Sequence, residues 1–286
     1  MIGFVLSGGA SLGAIEAGML RAVYEHGIAP DVIVGTSAGA VNGAYIASRP
    51  PTPGTATGLE ALWRKMSTFQ VFPPNPVTAV LGLVGEHDYL ISNDGVKSQI
   101  EAHAGFTRME DAAIPFHVVA TDVLSGQKVR ISRGDAESAV LASAAIPGVF
   151  PSIEREGRRL VDGGVAENTP LADAVDLGAD PIYVLPTGAP CQLAKPPRGA
   201  IPMLVHALSL LINQRLASDI EQYSKVVRVI VFPPPCPQTV QAWDFSQAAT
   251  LIEQGYASAS QVLSGEQSED YWRERALAHL RLAPRD

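Results

Sequence analysis

Short apolar segments alternate with helical patterns along this chain, and the alternation constrains its fold more than any other feature. Residues 2–6 form an apolar run, and a glycine-rich turn follows. Residues 14–26 then carry apolar side chains at helical spacing until Gly27 ends the pattern. Residues 32–34 form a second apolar run, which leads into a helical segment of small residues. This part of the chain therefore predicts two consecutive strand-turn-helix units.

The same alternation returns after residue 116. The segments FHVVATD and QKVRIS predict a β-hairpin, and AESAVLASAAIPGVF predicts a helix that ends at a proline. Further strands are predicted in REGRRLVDGG, DPIYVLPTG and KVVRVIVFPP, and further helices in IPMLVHALSLLINQRLASDIEQY and FSQAATLIEQGYASASQVL. Alternating strands and helices predict an α/β fold with a mostly parallel sheet and helices on both faces.

The composition favours one globular domain over residues 1–286. Hydrophobic residues make up 47% of the sequence and charged residues only 17%, which allows a large buried core. A formal net charge of -8, without a long run of Lys and Arg, argues against a general nucleic-acid-binding protein. Residues 50–95 are rich in proline and glycine and have little regular period, so we interpret them as an insertion and a candidate lid.

The sequence predicts neither a secretion signal nor a membrane span. The apolar run at residues 2–6 is too short for either, and no later apolar stretch approaches the length of about 20 residues that a spanning helix needs. Cys191 and Cys236 lie beside prolines, far apart in sequence, and suggest neither a disulfide framework nor a metal site. We therefore expect a cytoplasmic protein whose contact with a membrane is at most peripheral.

One turn carries a candidate nucleophile. In DVIVGTSAGA, Ser37 lies two residues from Gly35 and two residues from Gly39, between a buried strand and a helix. A sharp strand-to-helix turn needs small neighbours, because a Cβ there would collide with adjacent backbone. The turn raises the serine Oγ above the sheet, where the N-terminus of the helix favours an anion. A tight turn with a solvent-facing serine is the alternative.

The glycine-rich turn after residue 6 is the candidate oxyanion-binding loop. An α/β-hydrolase has several strands before its nucleophile, whereas only one strand-helix unit precedes this serine. If the first two strands are parallel neighbours, their turns share one edge of the sheet. The backbone N–H groups of Gly8, Gly9, Ala10 and Ala38 are then the candidate donors. A nucleotide or phosphate loop is the alternative, but SGGASLG lacks the phase of G-x-G-x-x-G.

Asp162 is the candidate general base. None of the six histidines lies at a glycine-rich strand end, and His206, inside the apolar MLVHALSLL, fits a packed helix residue. Asp162 ends an apolar strand and is followed by Gly163 and Gly164. An aspartate with an ordinary pKa of about 3.9 is a poor base in water, so the role requires burial and a hydrogen bond to Ser37. An Asp-Gly hairpin turn is the alternative.

Four segments of the chain closely resemble the patatin-like phospholipase family. They are SGGASLG, GTSAGA, ASAAIPGVFPSI and LVDGGVAENTP, and the resemblance runs from residue 2 to about residue 185. It implies a three-layer α/β/α fold and a Ser-Asp hydrolase of lipid acyl esters, with no catalytic histidine. At the matching positions, Ser37 is the nucleophile, Asp162 is the base, and Gly8, Gly9 and Ala10 form the oxyanion loop. No metal or organic cofactor is expected.

The first loop departs from the family pattern. Family members commonly read G-G-G-x-R-G, whereas Ala10 replaces the third glycine and Leu12 stands at the arginine position. A guanidinium near this loop could help to hold a phosphate, so its loss leaves several substrates open. They are phospholipids, lysophospholipids, glycerides, and simple fatty-acyl esters or thioesters. The backbone donors are unaffected by the change.

Other functions stay open beside the predicted acyl-serine esterase. A malonyl-type acyltransferase also uses a serine on such a turn but depends on a histidine. A non-catalytic module could bind acyl lipids on the same fold. The apolar residues 72–91 and the helix at residues 201–223 are candidate walls for an acyl chain or candidate parts of a membrane-facing lid, and ordinary packing is their alternative.

Overall fold

The strands form one sheet whose centre is parallel. The computed structural model describes residues 1–188, 197–236 and 240–281. Eight strands lie in these residues: β1 (Gly3–Leu6), β2 (Val32–Thr36), β3 (Phe116–Asp122), β4 (Lys128–Ile131), β5 (Ile153–Arg155), β6 (Arg158–Asp162), β7 (Ile182–Leu185) and β8 (Val229–Val231). The order is β5-β6-β3-β2-β1-β7-β8, and β4 also pairs with β3. The strands from β3 to β8 in this order are parallel, whereas β4, β5 and β6 pair in antiparallel fashion.

Helices cover both faces of the sheet. Twelve α-helices lie in the described residues: α1 (Ala14–Glu25), α2 (Ala38–Ala47), α3 (Pro53–Lys65), α4 (Thr68–Val71), α5 (Pro76–Leu83), α6 (Asp94–His103), α7 (Ala136–Ser143), α8 (Gly164–Glu167), α9 (Leu171–Asp176), α10 (Ala200–Tyr223), α11 (Ala248–Leu263) and α12 (Glu269–Leu280). Helices α1, α2, α3, α7 and α11 contribute to one apolar core, and α9, α10 and α12 contribute to a second.

The side chains of β1 explain the three layers. Successive side chains of a strand point to opposite faces, and here Phe4 and Leu6 belong to one apolar core while Val5 belongs to the other. Because both faces are covered, the strand has a continuous apolar sequence instead of an alternating one. The predicted three-layer α/β/α architecture with a mostly parallel central sheet is confirmed.

The register of β1 and β2 brings the first two turns together. The strands pair in parallel, and Leu6 lies opposite Gly35. Two residues further along, the same register sets Gly8 level with Ser37. A Cβ built on Gly8 would lie 3.1 Å from the Cβ of Ser37, which shows how close the two turns are. Parallel pairing therefore places the glycine-rich loop directly beside the serine.

The edge of the sheet next to β3 differs from the expectation. The sequence predicts one strand in REGRRLVDGG, whereas the chain forms an antiparallel hairpin of β5 and β6. The three residues of β5 are all at least partly exposed. The segment is too short to show the alternation of apolar and polar side chains that identifies a strand in sequence. Strand β6 runs antiparallel to β3, and its last residue, Asp162, lies opposite Ala120. The preceding β3 residue, Val119, lies opposite Thr36, the last residue of β2. The antiparallel hairpin therefore places Asp162 close to the end of β2, where Ser37 follows.

Residues 50–95 contain helices α3, α4 and α5 and the start of α6. Helix α3 begins after Thr52, whose side chain accepts a hydrogen bond from the N–H of Thr55, and it buries Leu59 and Trp63. Helix α5 is different, because none of its eight residues is buried. None of the described helices combines the length and the apolar character needed to cross a membrane.

Cys236 is disulfide-bonded, contrary to the expectation from cysteine spacing. Cys191 lies outside the described residues. Whether a cysteine is bonded depends on the tertiary fold, so the spacing of cysteines along the sequence could not predict the state of Cys236.

Candidate active site

Ser37 lies on a sharp turn between β2 and α2. Its φ of 54° and ψ of -119° lie outside the regions that non-glycine residues favour, at a cost of about 1–3 kcal/mol. A Cβ on Gly35 would lie 2.5 Å from the carbonyl oxygen of Gly39, and a Cβ on Gly39 would lie 2.4 Å from the carbonyl carbon of Leu6. Neither position has room for a side chain. The serine itself is only 7% exposed, unlike the serine of a plain surface turn.

Ser37 and Asp162 are joined by a short hydrogen bond although they lie 125 positions apart. The hydroxyl of Ser37 donates to Oδ2 of Asp162 at 2.6 Å. The N–H of Gly164 donates to the other carboxyl oxygen, Oδ1, at 2.7 Å. Each oxygen thus has a fixed partner, and the carboxyl group is oriented toward the serine. After Asp162 the chain enters helix α8, so this Asp-Gly pair does not form a hairpin turn.

Burial dominates the electrostatics of Asp162. The residue is 6% exposed. Burial raises the pKa of its carboxyl to about 6, although the hydrogen bonds from Ser37 and Gly164 act to lower it. Such a group is mostly ionised at neutral pH, yet it holds a proton more strongly than a solvated aspartate. The environment therefore gives the aspartate the proton affinity that a general base requires.

Ser143, the last residue of α7, supports the serine turn. The N–H of Ser37 donates to Oγ of Ser143 at 3.0 Å, and this hydroxyl donates to the carbonyl oxygen of Val119 at 2.6 Å. Ser143 is fully buried, so the two bonds tie the turn firmly to β3. The sequence offers little sign of this role, because the serine stands in an alanine-rich helical segment. A serine at the end of the apolar run of residues 139–142 was the available signal.

Three backbone N–H groups near Ser37 lack an acceptor among the described residues. They belong to Gly9, Ala10 and Ala38. Ala10 and Ala38 line one cavity at Ser37, and Gly9 and Ala10 line another. These three groups are therefore free to bind an oxygen atom that enters the site.

Gly8 has a different position from the other three candidate donors. Its N–H donates to the carbonyl oxygen of Asn168 at 3.0 Å. Its own carbonyl oxygen accepts hydrogen bonds from Nδ2 of Asn168 at 3.1 Å and from Oγ1 of Thr187 at 2.5 Å. A Cβ on Gly8 would lie 2.3 Å from the side-chain oxygen of Asn168, so only glycine fits here. Gly8 therefore anchors the loop.

A buried carboxyl group lies beneath the loop. The N–H of Ser7 donates to Oε1 of Glu16 at 2.6 Å, and Nδ2 of Asn42 donates to Oε2 at 2.7 Å. Nε1 of Trp63 in turn donates to Oδ1 of Asn42 at 2.8 Å. Glu16 is fully buried, and burial raises its pKa well above the ordinary value. Glu16 lies three residues before Met19 and four before Leu20, so it falls on the apolar face of α1. A charged residue at such a position is the sequence signal that could have identified it.

Two cavities of different character meet at Ser37. One encloses about 60 Å³ and is lined mainly by apolar side chains. These are Val41, Trp63, Met66, Val71, Phe72, Val96, Ile146, Phe150 and Phe245. The other is a cleft of about 400 Å³ that also contains Asp162 and extends to helix α10. The serine hydroxyl therefore lies between an apolar chamber and a larger cleft with charged walls.

No histidine lines either cavity at Ser37 within the described part of the chain. His206 lies on helix α10, is partly exposed and lines neither of these two cavities. Among residues 1–188, 197–236 and 240–281, no cluster of three or more His, Cys, Asp and Glu side chains is arranged to hold a metal ion. The chemical groups present at the serine are thus a carboxylate and backbone donors.

Comparison with known proteins shows which sequences and structures this chain is similar to. The family model described as patatin-like phospholipase matches residues 4–175, which include both Ser37 and Asp162. Lysophospholipase NTE1 of Mycosarcoma maydis is 28% identical over 188 residues, which are 66% of this chain and 10% of that protein. An uncharacterized NTE family protein of Mycobacterium bovis is 31% identical over 182 residues, which are 63% of this chain and 47% of that protein.

The chain therefore spans about a tenth of the length of the first relative and about half of the second. Among solved structures, VipD from Legionella pneumophila matches 92% of this chain and 66% of its own chain, with a TM-score of 0.48 and 14% sequence identity.

Proposed function

Because this chain belongs to the patatin-like phospholipase family, we propose that it is a lipid acyl hydrolase whose catalytic pair is Ser37 and Asp162. The observation that carries the proposal is the 2.6 Å hydrogen bond between their side chains, which are both buried where two cavities meet. The proposed reaction is hydrolysis of a fatty-acyl ester through a covalent acyl-serine intermediate.

Acylation of the serine is the first step. Oγ of Ser37 attacks the ester carbonyl carbon while its proton passes to Asp162 Oδ2, the atom to which it is already hydrogen-bonded. The carbonyl oxygen becomes an oxyanion as the tetrahedral intermediate forms. When the intermediate collapses, the bond to the alcohol oxygen breaks and Asp162 returns the proton to the leaving alcohol. The acyl group remains on the serine.

Hydrolysis of the acyl-serine completes the cycle. A water molecule in the larger cleft attacks the acyl carbon, and Asp162 accepts the proton that the water loses. Collapse of the second tetrahedral intermediate breaks the bond to Oγ, and Asp162 gives the proton back to Ser37. The pKa of Asp162, raised to about 6 by burial, supports this alternation between base and acid near neutral pH.

The oxyanion is assigned to the free backbone donors. The N–H groups of Gly9, Ala10 and Ala38 have no competing acceptor among the described residues, whereas the N–H of Gly8 is engaged by Asn168. Donors that are already oriented stabilise the developing charge without reorganisation, and each is worth about 2.7–4 kcal/mol in hydrolases that have been measured. We therefore give Gly8 the role of holding the loop in place.

The acyl chain is assigned to the apolar chamber. Phe72, from residues 50–95, lines this chamber and stacks on Phe150, with ring centroids 5.3 Å apart. The ring of Phe72 also contacts Phe245 edge-on at 6.0 Å. The insertion therefore supplies one wall of the chamber, which supports its proposed role as a lid within a single hydrolase domain of residues 1–286.

Contact with a lipid surface is proposed for an apolar patch at the mouth of the cleft. We call it the entrance surface, and it consists of Val165, Met203, Leu204, Leu208 and Leu211. Val165, Leu208 and Leu211 also line the cleft. The three leucines follow a helical i, i+4, i+7 spacing, so they lie on one face of α10. Exposed apolar side chains next to the site favour peripheral binding to the membrane that holds the substrate. The cytoplasmic location stays a prediction.

Labelling with a fluorophosphonate tests the proposed chemistry directly. An activated serine displaces the leaving group of the reagent and keeps a covalent phosphonyl adduct. We expect one labelled site at Ser37 in the wild-type chain and none in Ser37→Ala. A non-catalytic lipid-binding module would stay unlabelled. If labelling occurred but needed one of the histidines, a histidine-dependent acyltransferase would replace the present proposal.

A further inference from the structure

The charged groups at Ser37 are confined to one of the two cavities. The apolar chamber has no charged side chain in its lining. The cleft is lined by four charged residues: Asp162, Glu167, Arg215 and Asp219. If the acyl chain occupies the chamber, the alcohol portion of the ester must extend into the cleft. The charges of the cleft then face the part of the substrate that distinguishes one lipid class from another.

Each carboxyl group of the cleft already has a partner. Asp162 is bonded to Ser37, as described above. Glu167 receives a hydrogen bond from Nζ of Lys128 at 2.6 Å. Asp219 lies one helical turn beyond Arg215 and accepts hydrogen bonds from its Nε at 2.9 and 3.1 Å. Glu167 and Asp219 are thus each paired with a cationic side chain, whereas Asp162, whose partners are a hydroxyl and a backbone N–H, keeps its negative charge beside the reacting ester.

Arg215 still has unused donor capacity. A guanidinium group carries five N–H donors, of which Nε supplies only one. Nη1 and Nη2 of Arg215 have no hydrogen-bond partner among the described residues, and the side chain is 56% exposed. The bonds from Nε to Asp219 hold the plane of the guanidinium in place. The planar pair of terminal nitrogens is the geometry that binds two oxygens of a phosphate at once.

We propose that Arg215 binds the phosphate of a phosphate-bearing head group in the cleft, and so makes the protein favour acyl esters of phosphorylated glycerol over neutral glycerides. This inference rests on the proposed function, because it names the substrate class of the same site. Arg215 acts there as a specificity-determining residue that contacts substrate away from the reacting ester. Asp219 both orients the guanidinium and competes with the phosphate for its charge.

Two substrates that differ by one group test the assignment. Octanoyl glycerophosphate and octanoyl glycerol share the acyl chain, the ester and the glycerol, and only the first carries a phosphate. The measurement is the ratio of their kcat/KM values. Arg215→Gln is expected to lower this ratio by about tenfold or more, since charge-assisted hydrogen bonds are lost. Arg215→Lys, which keeps the charge but loses the planar pair of donors, is expected to retain part of the preference.

Two further variants sharpen the result. Asp219→Asn removes the competing negative charge, so the ratio is expected to rise. Arg228→Gln is the matched control, because Arg228 is 59% exposed and also donates through Nε to a carboxylate, Glu269, but does not line the cleft. It is expected to leave the ratio unchanged. An unchanged ratio in Arg215→Gln, or an equal loss on both substrates, would overturn the inference.

A binding measurement separates this inference from the proposed function. Calorimetry on Ser37→Ala requires no turnover and can be repeated in the double variant with Arg215→Gln. We expect octanoyl glycerophosphate to bind about tenfold more tightly than octanoyl glycerol, and the difference to vanish with Arg215. Inorganic phosphate that bound as tightly as the lipid would make this a free-anion site and overturn the head-group assignment. Failure of the wild type to hydrolyse any ester or to react with fluorophosphonate would instead contradict the proposed function.

Discussion

The proposed catalytic pair and the entrance surface lie on the same cleft, yet they are built in opposite ways. Ser37 and Asp162 are 7% and 6% exposed. The N–H of Ser37 donates to Oγ of Ser143 in α7, and the carboxyl of Asp162 accepts from the N–H of Gly164 in α8, so both are fixed by neighbouring elements. Leu204 and Leu211 of the entrance surface are 61% and 69% exposed and project from a single helix. The proposed hydrolysis requires reacting groups in fixed positions, whereas the proposed contact with lipid requires only an exposed apolar face next to them.

The largest effect should come from the catalytic pair. We expect Ser37→Ala and Asp162→Asn each to lower kcat for a medium-chain nitrophenyl ester by at least about 10³-fold. The amide oxygen of Asn can still accept from the N–H of Gly164, and its NH2 group can donate to Oγ of Ser37, which reverses the direction of that bond. The fold should therefore be retained and circular dichroism should be unchanged. Asp111→Asn, at an exposed position, is the control. Near-normal turnover in Asp162→Asn would remove the carboxylate from the mechanism.

The pH dependence should report the same carboxyl group. The base must be ionised, and burial raises the pKa of Asp162 to about 6. We therefore expect kcat/KM to fall about tenfold per pH unit below that value and to be level from about pH 7 to 8. A profile that is flat down to pH 4.5 would contradict this assignment of the base.

Stability should change in the opposite direction from activity. Because the folded pKa of Asp162 lies above the unfolded value near 3.8, the folded state binds more protons between these two values. This group therefore lowers stability as pH rises from about 4 to 6. Asp162→Asn avoids burying the charge and should unfold at a higher temperature than the wild type at pH 7. At pH 3.5 the two proteins should differ less. Equal melting temperatures at both pH values would show that the carboxylate is not penalised by burial.

The glycines of the turn should affect folding more than chemistry. A Cβ on Gly39 would lie 2.4 Å from backbone atoms of Leu6, which cannot move without disturbing β1. We expect Gly39→Ala to lower the free energy of unfolding by about 1–3 kcal/mol, measured by urea denaturation. Gly54→Ala in α3 is the control, since its nearest neighbour lies at 3.7 Å and alanine favours a helix. A Gly39→Ala protein as stable as the wild type would mean that the turn can relax.

The sequence predicted the parts of the site that depend on strand ends and glycines. Ser37 and Gly8 lie on turns of neighbouring parallel strands, and both turns have local signatures. Asp162 could also be proposed from its position before two glycines. The antiparallel hairpin that places Asp162 beside Ser37 could not be predicted, because β5 is short and only partly buried.

The supporting groups have at most a weak local signature. Ser143 and Arg215 reach the site from helices whose sequences look ordinary. Their roles depend on which elements the tertiary fold places next to Ser37, and a pattern of neighbours in sequence does not contain that information. For Gly8, the sequence predicted the position in the loop but not the hydrogen bond. Only the structure shows that its N–H donates to the carbonyl oxygen of Asn168.

The smallest effect should come from the entrance surface, because it holds no reacting group. Leu204 is 61% exposed and does not line the cleft, so Leu204→Asp should leave turnover of a soluble nitrophenyl ester unchanged. Binding to phosphatidylglycerol vesicles, measured by sedimentation, should weaken by about tenfold, as expected when one leucine is no longer buried in the lipid. Leu124→Asp is the control, since Leu124 is 89% exposed in the turn between β3 and β4 and does not line the cleft. If both variants lost binding equally, membrane contact would follow from general surface hydrophobicity. If only Leu204→Asp lost it, the position of α10 beside the cleft would be what matters, and access to the lipid would be a separable property from catalysis.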